Sequence, residues 1–515
     1  MYDKSCDTIA AIATAAGQGA IGIVRVSGIR TRDVLGQVFR KAGTLACDFV
    51  PRKMYYGEIV SARDIADSES NTEGDGRGGT DSALGDYEVV DEVMVCFFRG
   101  PRSFTGEDSA EIYAHGGMFV LGEVLRTVLA AGARAAEPGE FSKRGFLNGR
   151  LDLSRAEAII DLISAKTDAA RRAAVRQLGG GLSSRLTAAR DVILTWLAHI
   201  ELSIDYPEHE DEARNASEIL SECDGLIADL RRLAATADTG RVLREGVATA
   251  IIGRPNVGKS TLLNAILHED RAIVHETAGT TRDVLTETVR IGDVPLVIMD
   301  TAGLRETDDP IEQIGVEKSR ATAAAAELIL YVADATVGLQ EDDLQTLEEL
   351  AGGAGESARE KNVILLMNKA DVAKGGGTTA PITPSNDSFF EEGLGEIFFP
   401  KKVSPKVLNL NLLPISAKTG EGLPALYEQI REMFFADGIE SNGDADIITR
   451  ERHRVLISQA IAYMESAKGE LLAGVPEDLV SVSLRGAYIA LGEVLGVEVG
   501  DDIVDRIFSE FCVGK

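Results

Sequence analysis

The sequence predicts a multidomain α/β and α+β protein: a P-loop module inserted into an all-α helical domain, preceded by an α+β domain. Three features predict this. Short apolar strands and helices mix over residues 1–150, a helical period opens at Leu153, and from Gly246 strands alternate with helices until the helical pattern returns after Met433. Strands alternating with helices imply a parallel, doubly wound sheet. The 515 residues suit about three domains. The expected boundaries are 1–150, 151–245, 246–440 and 441–515, with the second and fourth stretches as two parts of one helical domain. Termini of compact domains lie close together, which makes such an insertion easy to accommodate.

In the first stretch, apolar alternation predicts strands at Ile9–Ala13, Ala20–Ser27, Met54–Val60, Val89–Phe97 and Glu111–His115. Helices are expected near Thr31–Val38, Phe119–Ala131 and Phe141–Asn148. The polar, Gly-rich run at 68–86 reads as a flexible insertion between strands. Ser154 and Glu157 have capping-box spacing before an apolar-periodic run through Leu178. Further helices are expected at Ser183–Ile204 and Ala216–Ala235, separated by the acidic stretch 206–212. The strands of the alternating module are Val247–Ile252, Leu285–Ile291, Leu296–Asp300, Leu328–Asp334, Val363–Asn368 and Leu412–Ile415. Ala373–Val407, rich in Gly, Thr, Ser and Pro, reads as a long insertion, and a polar linker at 437–446 leads into helices over Ile447–Phe511.

Composition narrows the class. The chain is 44% hydrophobic and 26% charged, ordinary for a soluble globular protein. It has no apolar run long enough to span a membrane, and the N-terminus lacks the basic start of a signal peptide. Its five cysteines are scattered without a C-x-x-C pair, which argues against structural zinc or a disulfide framework and fits a reducing cytoplasm. A net charge of −29 repels nucleic acid over most of the surface. Residues 141–190 are the exception, with ten Lys/Arg against four Asp/Glu, and read either as a solvated helix face or as an RNA-contacting one.

Four motifs carry chemistry. Gly253–Ser260 reads GRPNVGKS, follows an apolar strand and opens a helix. Glycines there let backbone N–H groups close around phosphates, Lys259 reaches the β- and γ-phosphates, and the Ser260 hydroxyl suits Mg²⁺. Asp300–Gly303, DTAG, ends another strand; Asp300 suits the Mg²⁺ shell and the Gly303 N–H the γ-phosphate. Between them, Thr277–Asp283 has the character of a switch ordered by triphosphate, with Thr281 closing over Mg²⁺. Asn368–Asp371, NKAD, gives a carboxylate that accepts from guanine N1–H and the 2-amino group, a donor pair adenine lacks. Ser416–Lys418 supports the base. In this order the motifs point to guanine-nucleotide binding and hydrolysis. Leu304 follows DTAG where Ras-like proteins carry a water-orienting Gln, so water must be placed otherwise.

The pieces GRPNVGKSTLLN, ETAGTTRD, DTAGLRET and NKAD, with IGIVRVSG (21–28), FTGEDSAEIYAHGG (104–117), PGEFSKRGFLNGRLDLSRAEAIIDLI (138–163) and the closing FCVGK, resemble the tRNA-modifying GTPase family called MnmE or TrmE. The resemblance spans the chain except for insertions at about 61–88 and 373–407. It implies a folate-binding N-terminal domain that forms a homodimer, and a GTPase domain inserted in a helical one. It also implies a heterotetramer with the flavoprotein MnmG (GidA), which adds an aminomethyl-type group, carboxymethylaminomethyl, to C5 of the wobble uridine of certain tRNAs. The one-carbon donor is a tetrahydrofolate derivative, 5-formyl or 5,10-methylene. The implied setting is cytoplasmic and away from membranes.

Residue by residue, the resemblance assigns GTP contacts to Asn256, Val257, Gly258, Lys259, Ser260 and Thr261 in the phosphate loop. It adds His275, Glu276, Thr277, Ala278, Gly279, Thr280 and Thr281 in the switch, and Asp300, Thr301, Ala302 and Gly303 in DTAG. Asn368, Lys369, Asp371, Ser416, Ala417 and Lys418 contact the base. Mg²⁺ falls to Ser260 and Thr281, and K⁺ to Asn256 with backbone carbonyls of His275, Thr277 and Thr280. Catalysis falls to Lys259 and to Glu312, which places the water. Folate falls to Arg25, Glu111, Arg150 and Lys515, with Arg150 standing where some members have Lys. Cys512 reads either as a nucleophile or as a small apolar residue. A ribosome-assembly GTPase shares the four motifs but would be expected to carry a basic RNA-binding module, of which the sequence shows no clear instance. A purely regulatory switch is the third reading.

Overall fold

The computed structural model describes residues 7–15, 17–41, 44–45, 49–62, 87–205, 216–269, 287–299, 322–351, 362–373, 410–435, 446–497 and 499–515. The chain divides into two compact units: Met1–Ile160, Gln177–Leu220 and Ala462–Lys515 form one, and Asp161–Arg176 with Ser221–Ile461 form the other. Both expected insertions, 68–86 and 373–407, fall almost wholly outside the described residues.

The first unit is built on an eight-stranded sheet. Its strands are β1 (Thr8–Ile12), β2 (Ile21–Gly28), β3 (Phe39–Lys41), β4 (Thr44–Leu45), β5 (Met54–Ala62), β6 (Tyr87–Phe98), β7 (Ser109–His115) and β8 (Arg134–Ala135). They lie in the order β4-β3-β5-β6-β7-β2-β1-β8. Successive side chains of a strand face opposite ways. Val24 and Val26 of β2, with Ala110 and Ile112 of β7, therefore meet Val34, Leu121, Val124 and Val128 of the helices Thr31–Val38 and Met118–Ala130 in one core. Arg25 and Glu111 point to the other face, directly opposite each other in the β2–β7 register.

Helices complete this unit. Gly181–Asp205 packs along Glu477–Leu495, where the Arg190 guanidinium lies 4.1 Å from the Tyr488 ring centre. The helix Asp501–Ser509 sets Val504 and Phe508 against Leu153 and Ala156. The capping expectation at Ser154 is corrected. Asp152 caps the helix Leu153–Ile163, accepting the Arg155 N–H at 2.9 Å, while Ser154 is buried in the first turn. The run to Leu178 is also two helices, because Thr167 accepts the Ala170 N–H at 3.1 Å and starts Asp168–Leu178 afresh.

The second unit holds β9 (Val247–Ile252), β10 (Glu287–Ile291), β11 (Val294–Ile298), β12 (Leu328–Asp334), β13 (Asn362–Asn368) and β14 (Asn411–Pro414), in the order β10-β11-β9-β12-β13-β14. Five strands are parallel and β10 is antiparallel to β11, which corrects the wholly parallel expectation. The cause is local: a two-residue turn with Gly292 at φ +58° leaves room only for a hairpin. Both faces of β12 are covered, Leu328, Leu330 and Val332 on one and Ile329, Tyr331 and Ala333 on the other. A helix at Ala237–Glu245, absent from the sequence reading, leads into β9.

A buried ionic cluster fixes the helix Glu140–Leu147 to the first sheet. Arg144 donates to Glu140 Oε1 at 3.0 Å and Glu107 Oε2 at 3.2 Å and pairs with Asp7, while Arg134 donates to Glu140 Oε1 at 2.6 Å and Asp7 Oδ2 at 2.7 Å. Burial alone pushes the Glu140 carboxyl up, but hydrogen bonds from Arg134, the Glu137 amide and Arg144 outweigh it and bring it down to about 2 from 4.5. A carboxylate depressed on folding stabilises above its unfolded pKa, and that stability is lost as pH falls toward the folded value. The stability of this unit should therefore decline between about pH 4.5 and about pH 2. Glu140→Gln should cost about 3 kcal/mol at neutral pH and flatten that acid limb. Denaturant melts across the pH range check this; an unchanged slope in the variant would refute the assignment.

Candidate functional site

The phosphate loop, the NKAD motif and Ser416–Lys418 meet at the C-terminal ends of β9, β13 and β14, beside that of β12. β9 runs into the loop Gly253–Gly258, and the helix Lys259–Glu269 follows at once, the Leu262 N–H donating to Gly258 O at 2.9 Å. Asn256 is left-handed at φ +63°, a conformation Asn tolerates better than most side chains. Lys259 turns back over the loop, its ammonium donating to Gly253 O and Arg254 O at 2.8 Å each. Burial pushes its pKa down. Ser260 stands beside it in the first helical turn, where backbone N–H groups and the helix dipole favour anions.

The base motif is bonded to this loop. Asn368 is buried; its Nδ2 donates to Val257 O at 2.8 Å, and its Oδ1 accepts the Ala417 N–H at 2.9 Å. Gly258, at φ +100°, must be glycine here, because a Cβ would lie 2.3 Å from Asn368 Nδ2. Lys369, left-handed at φ +65°, donates to Asn256 O at 2.9 Å and Asp334 Oδ2 at 2.7 Å. Burial pushes the Asp334 carboxyl up, yet hydrogen bonds from Lys369 and Thr336 hold it below the usual range. Asp371 is the second residue of the short helix Ala370–Ala373 and is exposed. Ser416 N–H donates to Glu421 O at 2.8 Å, which curls Ser416–Lys418 beside Asn368. Val257, Lys259, Ser260, Asn368, Lys369, Ser416 and Ala417 are thus brought together. His275–Thr281, Asp300–Gly303, Leu304 and Glu312 lie outside the described residues.

A second constellation lies on the open face of the first sheet. Arg25 donates to Glu111 Oε1 from Nε at 3.2 Å and NH2 at 2.9 Å, and from NH1 to Gly514 O at 3.1 Å. The Tyr113 hydroxyl donates to Glu111 Oε2 at 2.6 Å; burial and then that bond push the phenol up to about 12. The Arg25 guanidinium lies 5.4 Å from the Phe104 ring centre and 5.7 Å from that of Phe141. Gly514, at φ +91°, lets the tail pass so close to β1 that a Cβ would stand 2.3 Å from Ile12 O. Burial, then the charge of Arg25, pushes the Lys515 ammonium down. Arg150 is exposed and donates to Ser103 O at 3.1 Å, next to Phe104. Arg25 and Glu111 are thus bonded to each other and, through Gly514 O, to the tail that ends in Lys515, while Arg150 reaches Ser103, the neighbour of the Phe104 ring that faces Arg25.

The chain matches two family models, "GTP-binding protein TrmE N-terminus" over residues 8–150 and "MnmE helical domain" over 153–512. It is 42% identical over 511 residues to the tRNA modification GTPase MnmE of Desulforamulus reducens, covering 99% of each chain. The Finegoldia magna protein of that name is 40% identical, over 99% of this chain and 100% of its own length.

The chain belongs to the MnmE family.

Solved G domains also match, among them that of the T. maritima FeoB iron transporter. It is 23% identical, with a TM-score of 0.22, over 36% of this chain and 96% of its own. A score that low carries no argument, and the fold rests on the strand order above. The family's FTGED segment has a structural explanation here. Thr105 is buried and its Oγ1 lies 2.7 Å from Ser27 Oγ, while Glu107 accepts from Ser27 at 2.9 Å and from Arg144. Within the basic stretch 141–190, Arg144 is paired as above, Arg155 donates to Leu178 O at 2.9 Å, Arg171 and Arg172 pair with Asp168, and Arg176 pairs with Asp446 at 2.8 Å. Sequence reasoning missed Tyr113, Phe104 and Phe141 around Arg25; strand alternation from Glu111 to Tyr113 was the signal for the first. Cys512 is exposed beside the tail. Among the described residues no group of His, Cys, Asp and Glu is spaced to hold a metal, and no helix is long and apolar enough to cross a membrane.

Proposed function

We propose that this chain hydrolyses GTP to drive modification of tRNA at C5 of the wobble uridine, as a cytoplasmic homodimer working with a flavoprotein partner of the MnmG type. The relatives are named tRNA modification GTPases, and this chain is colinear with them. One observation carries the GTP reading. Asn368 and Lys369 of the base motif are hydrogen-bonded to Val257 and Asn256 of the phosphate loop, so that base and phosphate recognition form one rigid piece. In this reading Asp371 accepts from guanine N1–H and the 2-amino group. Backbone N–H groups of 256–261 and the Lys259 ammonium take the phosphates, and Glu312 orients water.

The Ser260 hydroxyl, a hard oxygen donor in the first helical turn, fits Mg²⁺, with Thr281 and Asp300 completing the set. Mg²⁺ there supplies neutralisation of phosphate charge. Asn256, exposed on the loop, fits K⁺ through its side-chain carbonyl, with carbonyls of His275, Thr277 and Thr280, and K⁺ there offsets charge developing between the β- and γ-phosphates. In the first unit, Arg25 and the half-buried Lys515 repel each other, a cost that an anion relieves. A tetrahydrofolate derivative with its carboxylates fits that need and supplies the one-carbon unit, with Phe104 and Phe141 as apolar walls and Glu111 and Arg150 completing the contacts.

Three measurements test this. Mass spectrometry of wobble uridines from cells lacking the protein should show loss of the modification. Restoring Arg25→Ala should leave it missing while GTP hydrolysis by the purified variant stays near wild type; full modification by that variant would place folate elsewhere. Asp371→Asn should weaken GTP binding at least tenfold and favour xanthosine triphosphate, since the amide offers a donor where guanine needs an acceptor. GTP affinity equal to wild type would remove this loop from the base. Turnover at fixed ionic strength should be roughly tenfold or more faster in potassium than in sodium, and Asn256→Ala should erase the difference. Equal wild-type rates in the two salts would defeat the potassium assignment.

A further inference from the structure

Arg254 is the first residue after the glycine that opens the phosphate loop, and none of the four motifs gives it a role. Its Nε faces both oxygens of Asp343, at 3.1 Å and 3.0 Å, and Asp343 is fully buried. Asp343 has two further partners: the Tyr331 hydroxyl donates to its Oδ1 at 2.8 Å and the Gln340 N–H to its Oδ2 at 2.9 Å. Tyr331 lies in the middle of the sheet, paired in register with Ile252 at the end of β9. Gln340 immediately precedes the helix Glu341–Ala351, so Asp343 also closes that helix's first turn.

We propose that Arg254 is a positioning residue for GTP hydrolysis: its tether to Asp343 fixes the backbone carbonyl that aims Lys259 at the phosphates. The inference rests on reading Gly253–Ser260 as the GTP phosphate loop. Two carbonyls steer the Lys259 ammonium, those of Gly253 and Arg254. Gly253 is fixed against β12, where a Cβ would stand 2.1 Å from Val332 O. Arg254 is held through its side chain, by Nε on the buried Asp343. A buried carboxylate with three donors is a rigid anchor, because releasing any one leaves charge unsatisfied in a dry site. Asp343 takes the guanidinium through Nε alone, and direct contact of its remaining N–H groups with nucleotide is the rival role. Loosening the tether lets the Lys259 ammonium drift while the backbone N–H groups still hold phosphate. Misplacement of a charge-stabilising group by a fraction of an ångström lowers turnover more than affinity.

The test uses the full chain in potassium and magnesium, with turnover at saturating GTP and affinity for a fluorescent GDP measured side by side. Arg254→Ala and Asp343→Asn should each lower kcat about tenfold with GDP affinity within about threefold of wild type. The double variant should be no slower than either single one, because both changes remove the same tether. Arg254→Lys, which keeps the ion pair, should recover most of the lost turnover. Should Asp343→Asn fail to fold, the split between kcat and affinity in Arg254→Ala, with rescue by Arg254→Lys, decides alone. A kcat lowered by Arg254→Ala but not by a folded Asp343→Asn would overturn the proposal in favour of direct contact with nucleotide. Equal losses of kcat and affinity would also overturn it, leaving Arg254 a purely structural residue. A wild type that binds GDP and hydrolyses no GTP defeats the functional reading itself; a hydrolysing wild type with unmoved variants defeats only this inference.

Discussion

The nucleotide site depends on one buried amide. Asn368 carries a donor and an acceptor on one side chain, and the fold uses both: the donor on Val257 O and the acceptor on Ala417 N–H. Three loops, after β9, β13 and β14, are thereby tied at one atom group that water cannot reach. A buried amide left half-bonded costs roughly 1–3 kcal/mol, so the three loops hold their positions together. Gly258 follows from the same constraint, since only a residue without a Cβ lets the phosphate loop approach Asn368 this closely. Lys369 then extends the tie on the outside, from Asn256 O to Asp334.

Much of this was legible because its determinants are local. The strands Val247–Ile252 and Leu328–Asp334 and the helix Thr31–Val38 fall where apolar period alone puts them. So does the phosphate loop, whose glycines and lysine are spaced within eight residues. Errors arose where two local signals competed. Ser154 was expected to cap, but Asp152 does so, because its carboxylate reaches the N–H three residues on while Ser154 is buried in the helix it was expected to start. Gly292–Asp293 between two apolar runs spelled a hairpin, but the surrounding strand–helix alternation argued for parallel strands and obscured it.

The rest was illegible because it depends on pairs far apart in the chain. Nothing in the sequence near Arg254 announces Asp343, 89 residues on, and one of three consecutive acidic residues in the first turn of a helix reads as a solvated charge. Arg144 looked like part of a basic face, yet its partners Asp7 and Glu107 come from β1's approach and the FTGED loop and bury it. A basic run is a statement about sequence; whether it is a basic surface depends on which carboxylates the fold delivers to it.

The two constellations reach their geometry by different routes, and this affects how each is assembled. The nucleotide site sits where parallel strands end, so once the sheet forms, its loops emerge on one edge together. The Arg25 site begins as a cross-strand pair, Arg25 opposite Glu111, that β2 and β7 create on their own. Its other side comes from Gly514, 489 residues from Arg25, on a tail that Phe508 and Phe511 anchor against Leu153 and Ala156. Contacts of such separation form only after the intervening chain has folded or been spanned, because closing a long loop costs entropy before any contact repays it. The sheet supplies one side of this constellation and the C-terminal tail the other. Arg25 is the joint between them: its guanidinium is shared between a carboxylate of the sheet and a carbonyl of the tail.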